Sequence, residues 1–328
     1  MLIFADIFDS GKLKIDSKDI LILKSEVIGK FLLHREPSIR TAALSLLITT
    51  SSTIKPLTVG ATKAILRGLP SMHAESEAYT RGEIFSMTRR FILRLKGGIV
   101  REEDAGLKIE KTANKPATGQ ARNETETKEF LKAYLNLLQN DLPLSASYAR
   151  HITALKTLKL LIDSGLDPRT DIKLQKSEVE NLWKVQVEVF DANLLRLLVD
   201  LLLDPFEEVR QTSLTILNIC PREVLLDCLQ NTTNIGMRLT DALTRAENLA
   251  SHTSRADHAD TVARLYHIIF CAALPGNSGQ GTSEWWSTKV SVVDTILTKL
   301  EERLLGPKSL FNSVMREAPL HGYTSGLR

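Results

Sequence analysis

The chain has 328 residues, of which 43% are hydrophobic and 25% are charged, values that are ordinary for a globular protein. Its 42 Lys and Arg residues against 39 Asp and Glu residues give a net charge of only +3, which excludes wholesale polyanion binding but not a local basic patch. Three cysteines without CxxC spacing exclude a disulfide framework and a zinc ribbon, and the lack of a leader or a long apolar run predicts a cytoplasmic protein with no membrane contact.

One helical pattern recurs along the chain and reads apolar–Arg–x–x–small–Leu. It is clearest in Pro37–Leu47 and reappears in segments whose key arginines are Arg81, Arg150 and Arg210. The arginine spacings are 41, 69 and 60 residues, and only the first matches the period of about 40–47 residues of HEAT and armadillo arrays. The pattern therefore predicts an all-α fold, an irregular HEAT/armadillo-like α-solenoid of stacked helical pairs. Arg40 and Arg210 are interpreted as structural, each pairing with a carboxylate of the neighbouring repeat.

The first predicted block of repeats covers residues 1–96 and ends in a basic helix, 81–96. This helix carries five basic residues against one acidic residue, a net charge of +4. Such a strip can position a phosphate backbone. The alternative is a solvated face whose arginine stems cover Phe85 and Phe91. The candidate nucleic-acid contacts are Arg89, Arg90, Arg94, Lys96 and Arg101.

A polar insert separates this block from the second one, which covers residues 128–328. Residues 97–127 contain almost no clustered aromatic or branched apolar side chains, so they are expected to form a disordered surface loop. Farther along, the chain contains extra residues around Trp183, interpreted as an additional helix.

A leucine stripe from Leu194 to Leu202 predicts a helix that ends at Asp204-Pro205. Asp204 is expected to cap the next helix, about 206–219, which buries Val209, Leu214 and Leu217. Pro221 is expected to open a further helix. Two later helices, at about 256–270 and 285–304, flank a predicted flexible loop at 274–284.

The sequence offers no convincing reactive centre. The glycines at 276, 279 and 281 follow no apolar strand and precede no Lys-Ser/Thr pair, so they indicate a linker. The cluster His252, Asp257, His258 and Asp260 lacks the i, i+4 spacing of helical metal ligands and indicates a polar helix start. We expect no metal, no cofactor and no catalytic residue in this chain.

Four segments together carry a family resemblance. Pro37–Leu47 fits the family's pattern, Leu144–Leu158 contains SYxRxxxALxxL, and Pro205–Arg210 follows an aspartate in a D-x-[YF]-E-E-V-R pattern. Ala318–Gly322 with Leu327-Arg328 resembles PLHGxxxALR. In this chain order the four segments resemble the thyroid adenoma-associated (THADA) protein family. The resemblance extends over nearly the whole chain apart from the insert. Because relatives continue into a central domain, we expect this chain to be a fragment or a shortened form.

The resemblance implies a large helical-repeat protein that takes no chemical step itself. Fungal members are the non-catalytic partners of a tRNA ribose 2′-O-methyltransferase that modifies nucleotide 32 in the anticodon loop. The implied partners are this S-adenosylmethionine-dependent catalytic subunit and tRNA, with the basic strip as the candidate tRNA contact. The alternative is a protein-only α-solenoid adaptor, which would bind its partner without RNA and with little dependence on salt.

Overall fold

A computed structural model describes residues 25–49, 56–99, 124–170, 183–225, 235–253, 255–273 and 298. These ranges are α-helical without a β-strand, which confirms the predicted all-α class. The α-helices are α1 (Ser25–Phe31), α2 (Pro37–Ile48), α3 (Val59–His73), α4 (Ala78–Gly97), α5 (Glu124–Asn140), α6 (Tyr148–Asp163), α7 (Ala192–Asp200), α8 (Glu207–Ile219), α9 (Ile235–Thr253) and α10 (Ala256–Ala273). A 3₁₀ turn, Leu201–Leu203, follows α7.

The chain divides into two compact units. Unit 1 comprises Met1–Asp141, Ala149–Pro168 and Ile172–Val189. Unit 2 comprises Leu142–Tyr148, Arg169–Asp171 and Phe190–Arg328. Tyr148, the first residue of α6, is thus grouped with unit 2.

Unit 1 is built from helical pairs arranged in two layers. In one layer α3 packs against α1 on one side and α5 on the other, and in the second layer α2 packs against α4. The members of each pair, α1 with α2 and α3 with α4, also contact each other. His73 Nδ1 at the end of α3 lies 2.7 Å from Asp141 Oδ2 just after α5, so these two helices run in parallel.

Glycines allow α1 and α3 to approach closely. A Cβ atom placed on Gly68 would lie 2.7 Å from Leu32 Cβ, and one placed on Gly29 would lie 2.8 Å from Ala64 Cβ. Real Cβ atoms do not come so close, so any larger residue would force the helices apart.

Three helices share an arrangement at their start that we call the arginine clamp. An arginine in the first turns donates from Nη1 to the main-chain carbonyl oxygens five and six residues before it. The distances are 2.9 Å and 2.9 Å for Arg40, and 3.1 Å and 2.7 Å for Arg210. Arg81 makes the same two contacts, with Ser76 and Glu75. Each clamp therefore fixes the turn within one helical pair.

Two of the clamps also reach the next helical pair, as predicted for Arg40 and Arg210. Arg40 Nη2 lies 2.7 Å from Glu75 Oε2, and Arg210 Nη2 pairs with Asp257. Both arginines are buried. At the fourth pattern position the contact is looser, because the Arg150 side chain is 43% exposed and lies 3.8 Å from Asp141 Oδ1.

Chain lengths between helices explain the irregular spacing of these arginines. The connections within pairs are short: five residues between α1 and α2, and four between α3 and α4. The stretches of sequence between one described pair and the next are longer and differ: ten residues between α2 and α3, 26 between α4 and α5, and 28 between α6 and α7. The irregular spacing of the arginines therefore arises mainly between the pairs.

Residues 183–190 do not form the helix that was expected around Trp183, and residues 171–182, which precede it, lie outside the described residues. Residues 183–190 are extended, with Trp183, Val185, Val187 and Val189 buried and the intervening residues exposed. This alternation with a period of two is the signature of an extended segment rather than of a helix. The segment is held by hydrogen bonds from Trp183 Nε1 to Ser164 Oγ at 2.8 Å and from the Val187 amide to Leu166 O at 3.3 Å.

In unit 2, α7 packs against α8 and α9, and α10 packs against both α8 and α9. The predicted leucine stripe is buried, as are Val209, Leu214 and Leu217 in α8. Asp204 does not cap α8 directly. Its Oδ1 accepts the amide of Phe206 at 2.8 Å, so it holds the turn one residue before the helix begins at Glu207.

Several sequence predictions concern other parts of the chain. Helix α4 ends at Gly97 and α5 begins at Glu124, four residues before the expected start of the second block, and most of the predicted insert lies outside the described residues. The predicted loop at 274–284 and nearly all of the predicted helix at 285–304 also lie outside them. Among the helices that are described, none is both long and apolar enough to cross a bilayer.

Candidate nucleic-acid interface

The orientation of α4 decides which of its basic residues face solvent. Its buried face includes Ile84, Thr88, Phe91 and Leu95. Phe91 stacks edge-on against Phe130 of α5, with ring centroids 5.7 Å apart and the planes at 78°. This aromatic contact is part of the core of unit 1 and fixes the rotation of α4 about its axis.

The opposite face of α4 is exposed and carries Tyr79, Glu83, Arg89, Arg90 and Leu93. Arg89 and Arg90 make no ion pair and no hydrogen bond within the part of the chain that the structure describes. Their guanidinium groups therefore remain available for a ligand, and an arginine fork matches the geometry of a phosphate group.

The prediction that Arg94 belongs to this exposed strip is wrong. Arg94 is only 7% exposed, and its Nη1 donates to Leu47 O at 3.2 Å and to Thr49 O at 3.5 Å. These carbonyls stand at the end of α2, where the helix has no partners of its own for them. Burial lowers the pKa of Arg94. The structure thus places Arg94 against the end of a neighbouring helix rather than on the exposed face.

Lys96 and Arg101 are the remaining members of the predicted strip, and they differ from Arg89 and Arg90. Lys96 is half-buried, and its Nζ donates to Ser164 O at 2.9 Å, just beyond the end of α6. Arg101 lies outside the described residues. Of the five predicted contacts, Arg89 and Arg90 are thus the two that the structure places in solvent, and their contact with tRNA stays a prediction. Phe85 is half-buried and Phe91 is fully buried, so part of the alternative interpretation also describes this helix.

Sequence reasoning missed a second set of exposed cations on the other layer of unit 1. Lys63 and Arg67 lie on α3, and Lys128 and Lys132 lie on α5. All four are exposed, and none makes an ion pair or hydrogen bond among the described residues. Their common i, i+4 spacing was the available signal, since it places both members of each pair on one side of a helix.

These four side chains lie at similar heights along two parallel helices. With a rise of about 1.5 Å per residue, Arg67 and Lys63 lie about 9 and 15 Å from the His73 end of α3. Lys132 and Lys128 lie about 13 and 19 Å from the matching end of α5. Because α3 and α5 contact each other, the two pairs of cations lie on neighbouring helices of one layer. The exposed carboxylate of Glu129 is next to Lys128 on α5.

The cluster of His252, Asp257, His258 and Asp260 lies in unit 2, where its two carboxylates pair with other side chains. Asp257 pairs with Arg210 and with Arg255, whose Nη2 lies 2.8 Å away, and Asp260 accepts from Gln211 at 2.9 Å. Burial alone would raise the pKa of Asp257, but the hydrogen bond from Arg255 and the neighbouring positive charges together lower it. His258 is buried beside Asp257, and burial lowers its pKa.

A comparison with protein families adds an independent finding. The family model described as Trm732, TPR repeats, matches residues 9–211, more than half of the chain. The matched range includes all six exposed cations described above and all four arginines of the repeat pattern. It confirms the resemblance found in the sequence motifs and the helical-repeat class. This chain therefore belongs to the Trm732 TPR-repeat family of tRNA-modification proteins.

Proposed function

We propose that this chain is a non-catalytic scaffold in tRNA ribose 2′-O-methylation. It binds tRNA and a separate catalytic subunit in the cytoplasm and presents nucleotide 32 of the anticodon loop to that subunit. The scaffold lowers the barrier by orientation alone, because fixing two reactants in a productive geometry removes several kcal/mol of entropic cost, up to about 7–11 kcal/mol in favourable cases.

The observation that carries the tRNA part of the proposal is the set of unpaired cations in unit 1. Exposed basic residues that pair with protein carboxylates are already neutralised, whereas these six have no such partner among the residues that the structure describes. They occur on helices of both layers, which suits contacts with a polyanion longer than a single phosphate group. The residues are Lys63, Arg67, Arg89, Arg90, Lys128 and Lys132.

Charge reversal on α4 tests this proposal. In the double variant Arg89→Glu/Arg90→Glu, we expect the affinity for tRNA to fall about tenfold at physiological salt, because two attractive phosphate contacts become repulsive. Methylation of nucleotide 32, measured with the catalytic subunit present, should fall in parallel. Binding of the catalytic subunit itself should not change.

The matched control is Arg89→Lys/Arg90→Lys, which keeps both charges at the same exposed positions. It should retain most of the affinity for tRNA, since the electrostatic part of the contact survives. Unchanged tRNA affinity and methylation in the charge-reversed variant would remove these two residues from the interface.

The alternative, a protein-only adaptor, makes a different prediction for the wild-type chain. Its binding to a protein partner would persist without RNA, and tRNA would bind weakly or not at all. Tight tRNA binding that weakens steeply with salt argues against it, because such a dependence follows from phosphate contacts.

A further inference from the structure

An aromatic pair in unit 2 joins a half-buried tyrosine to an exposed phenylalanine. The rings of Tyr148 and Phe206 have centroids 4.5 Å apart with their planes tilted by 44°. Phe206 is 50% exposed, and Leu144, four residues before Tyr148, is 58% exposed. Among the described residues of unit 2, Leu144 and Phe206 are the two large apolar side chains that remain in solvent.

The fold does not require an aromatic residue at Phe206. It stands four residues before the clamp arginine Arg210, and the equivalent residues before Arg40 and Arg81 are Glu36 and Glu77. All three precede the first helical residue and are exposed, and none caps its helix through the side chain. Two other repeats carry a glutamate at this position. The turn therefore does not need the phenyl ring of Phe206 for its stability.

Carboxylates accompany the aromatic pair. Tyr148 donates its hydroxyl to Glu208 Oε2 at 2.5 Å, and both Glu207 and Glu208 are exposed. Arg255, whose charge interacts with Glu207, is committed to Asp257 at 2.8 Å. The pair is therefore an apolar surface beside negative charge.

We propose that the surface formed by Tyr148, Phe206, Glu207 and Glu208, called here the aromatic–acidic patch, docks an arginine of a partner protein. A guanidinium group can stack on the exposed ring face and pair with a carboxylate through the same planar group. Nucleic acid fits this patch poorly, since its phosphates would meet the two carboxylates. The partner is the catalytic methyltransferase subunit, so the assignment of this occupant rests on the proposed function.

The test measures binding of the purified tRNA ribose 2′-O-methyltransferase catalytic subunit to the full chain by calorimetry. Phe206→Ala should weaken this binding about 30-fold or more, the usual loss at an aromatic interface hot spot. Phe206→Leu, which keeps apolar bulk without the ring face, should lose nearly as much. Glu207→Gln/Glu208→Gln should lose about tenfold, and this loss should shrink as salt is raised.

The matched control is Tyr79→Ala in unit 1. Tyr79 stands at the same position before Arg81 as Tyr148 does before Arg150, and it is 73% exposed beside Glu83. This variant should bind the subunit within about twofold of wild type, because only the patch in unit 2 is assigned to the partner. The thermal unfolding midpoint of each variant checks that the fold is retained.

In the catalytic subunit, surface arginines should be replaced by lysine one at a time and binding measured again. One of these replacements should weaken binding to wild type but have little further effect on binding to Phe206→Ala, because both changes remove the same contact. If wild type binds the subunit and Phe206→Ala binds equally well, the patch is wrong while the proposed function stands. If Phe206→Leu binds like wild type, arginine stacking is wrong. If Phe206→Ala weakens tRNA binding and not subunit binding, the occupant is a nucleic acid instead. If wild type does not bind the subunit at all, the proposed function and this occupant both fail.

Discussion

The clamp arginines serve two parts of the molecule with one side chain. Nη1 closes the turn before its own helix through two carbonyl groups, and for Arg40 and Arg210 Nη2 reaches a carboxylate of the following helical pair. Hydrogen bonds to a charged donor contribute about 1.5–3 kcal/mol each, more than neutral ones. A lysine has one charged nitrogen and cannot form this forked arrangement.

Burial predicts how much each of these arginines contributes to stability. Arg210 is fully buried, so Arg210→Ala should reduce the free energy of unfolding by about 3–5 kcal/mol, leaving two carbonyls and part of the Asp257 charge unpaired. Arg150→Ala, at the same position of the repeat pattern, should cost less than about 1 kcal/mol, since its side chain is 43% exposed. Urea unfolding of both variants gives the comparison, and equal losses would contradict the clamp as described.

The roles of individual residues were predictable where the helical pattern and the chemistry of the side chain pointed to the same partner. Arg40 and Arg210 follow an apolar residue within an otherwise helical stripe, and a buried arginine there needs a carboxylate. Arg94 was misplaced because charge alone does not reveal which side of a helix is buried. It follows Phe91 by three residues and so lies at the border of the buried face, from which it reaches the carbonyls at the end of α2.

At the scale of elements, close packing of α1 on α3 depends on glycine. In the variant Gly68→Ala, overpacking against Leu32 should reduce the free energy of unfolding by about 1–3 kcal/mol. The better helix propensity of alanine should offset at most about 1 kcal/mol of this loss. The matched variant is Gly82→Ala in α4, where an added Cβ would meet nothing within 4 Å. It should stabilise the protein by about 0.5–1 kcal/mol. Denaturant unfolding measures both, and a stabilising Gly68→Ala would contradict the packing.

Elements with a long and regular pattern were predictable, whereas short irregular ones were not. The leucine stripe before Asp204 and the apolar stripe of α8 gave both helices nearly at their observed ends. The extended form of residues 183–190 was not predicted, because four alternating apolar residues are too few to stand out beside the helical patterns around them. Its extended form depends on partners such as Ser164 and Leu166, which are distant in sequence.

At the scale of the whole molecule, unpaired surface charge governs how the protein should respond to salt. Each phosphate contact contributes about −0.7 to −0.9 to the slope of log affinity against log salt concentration. Replacing Lys63, Arg67, Lys128 and Lys132 together by glutamine should therefore reduce the magnitude of the slope for tRNA by about 3. Titrations between about 50 and 200 mM salt measure it.

Arg245→Gln is the control for this titration. Arg245 is also an exposed cation without an ion pair among the described residues, but it lies on α9 in unit 2. Its replacement should leave the slope unchanged. A slope that stays the same in the fourfold variant would exclude the α3 and α5 cations from the tRNA contact.

The class of fold and the family were predictable from the sequence, because helical stripes and ordered motifs are properties of the chain itself. The candidate interface was predictable only in part. Arg89 and Arg90 were found through local charge density, whereas Lys63 and Lys128 are separated by 65 residues and come to lie on neighbouring helices only when α3 packs against α5.

The contrast between short turns within pairs and long connections between them has an evolutionary consequence. A clamp tolerates no added residues, because its arginine must reach carbonyls at fixed offsets of five and six positions. Connections between pairs carry no such constraint, and chain added there costs little entropy as it lengthens. Insertions and deletions among descendants of this gene should accumulate at those junctions, so that homologues drift in length while the helical pairs keep their spacing.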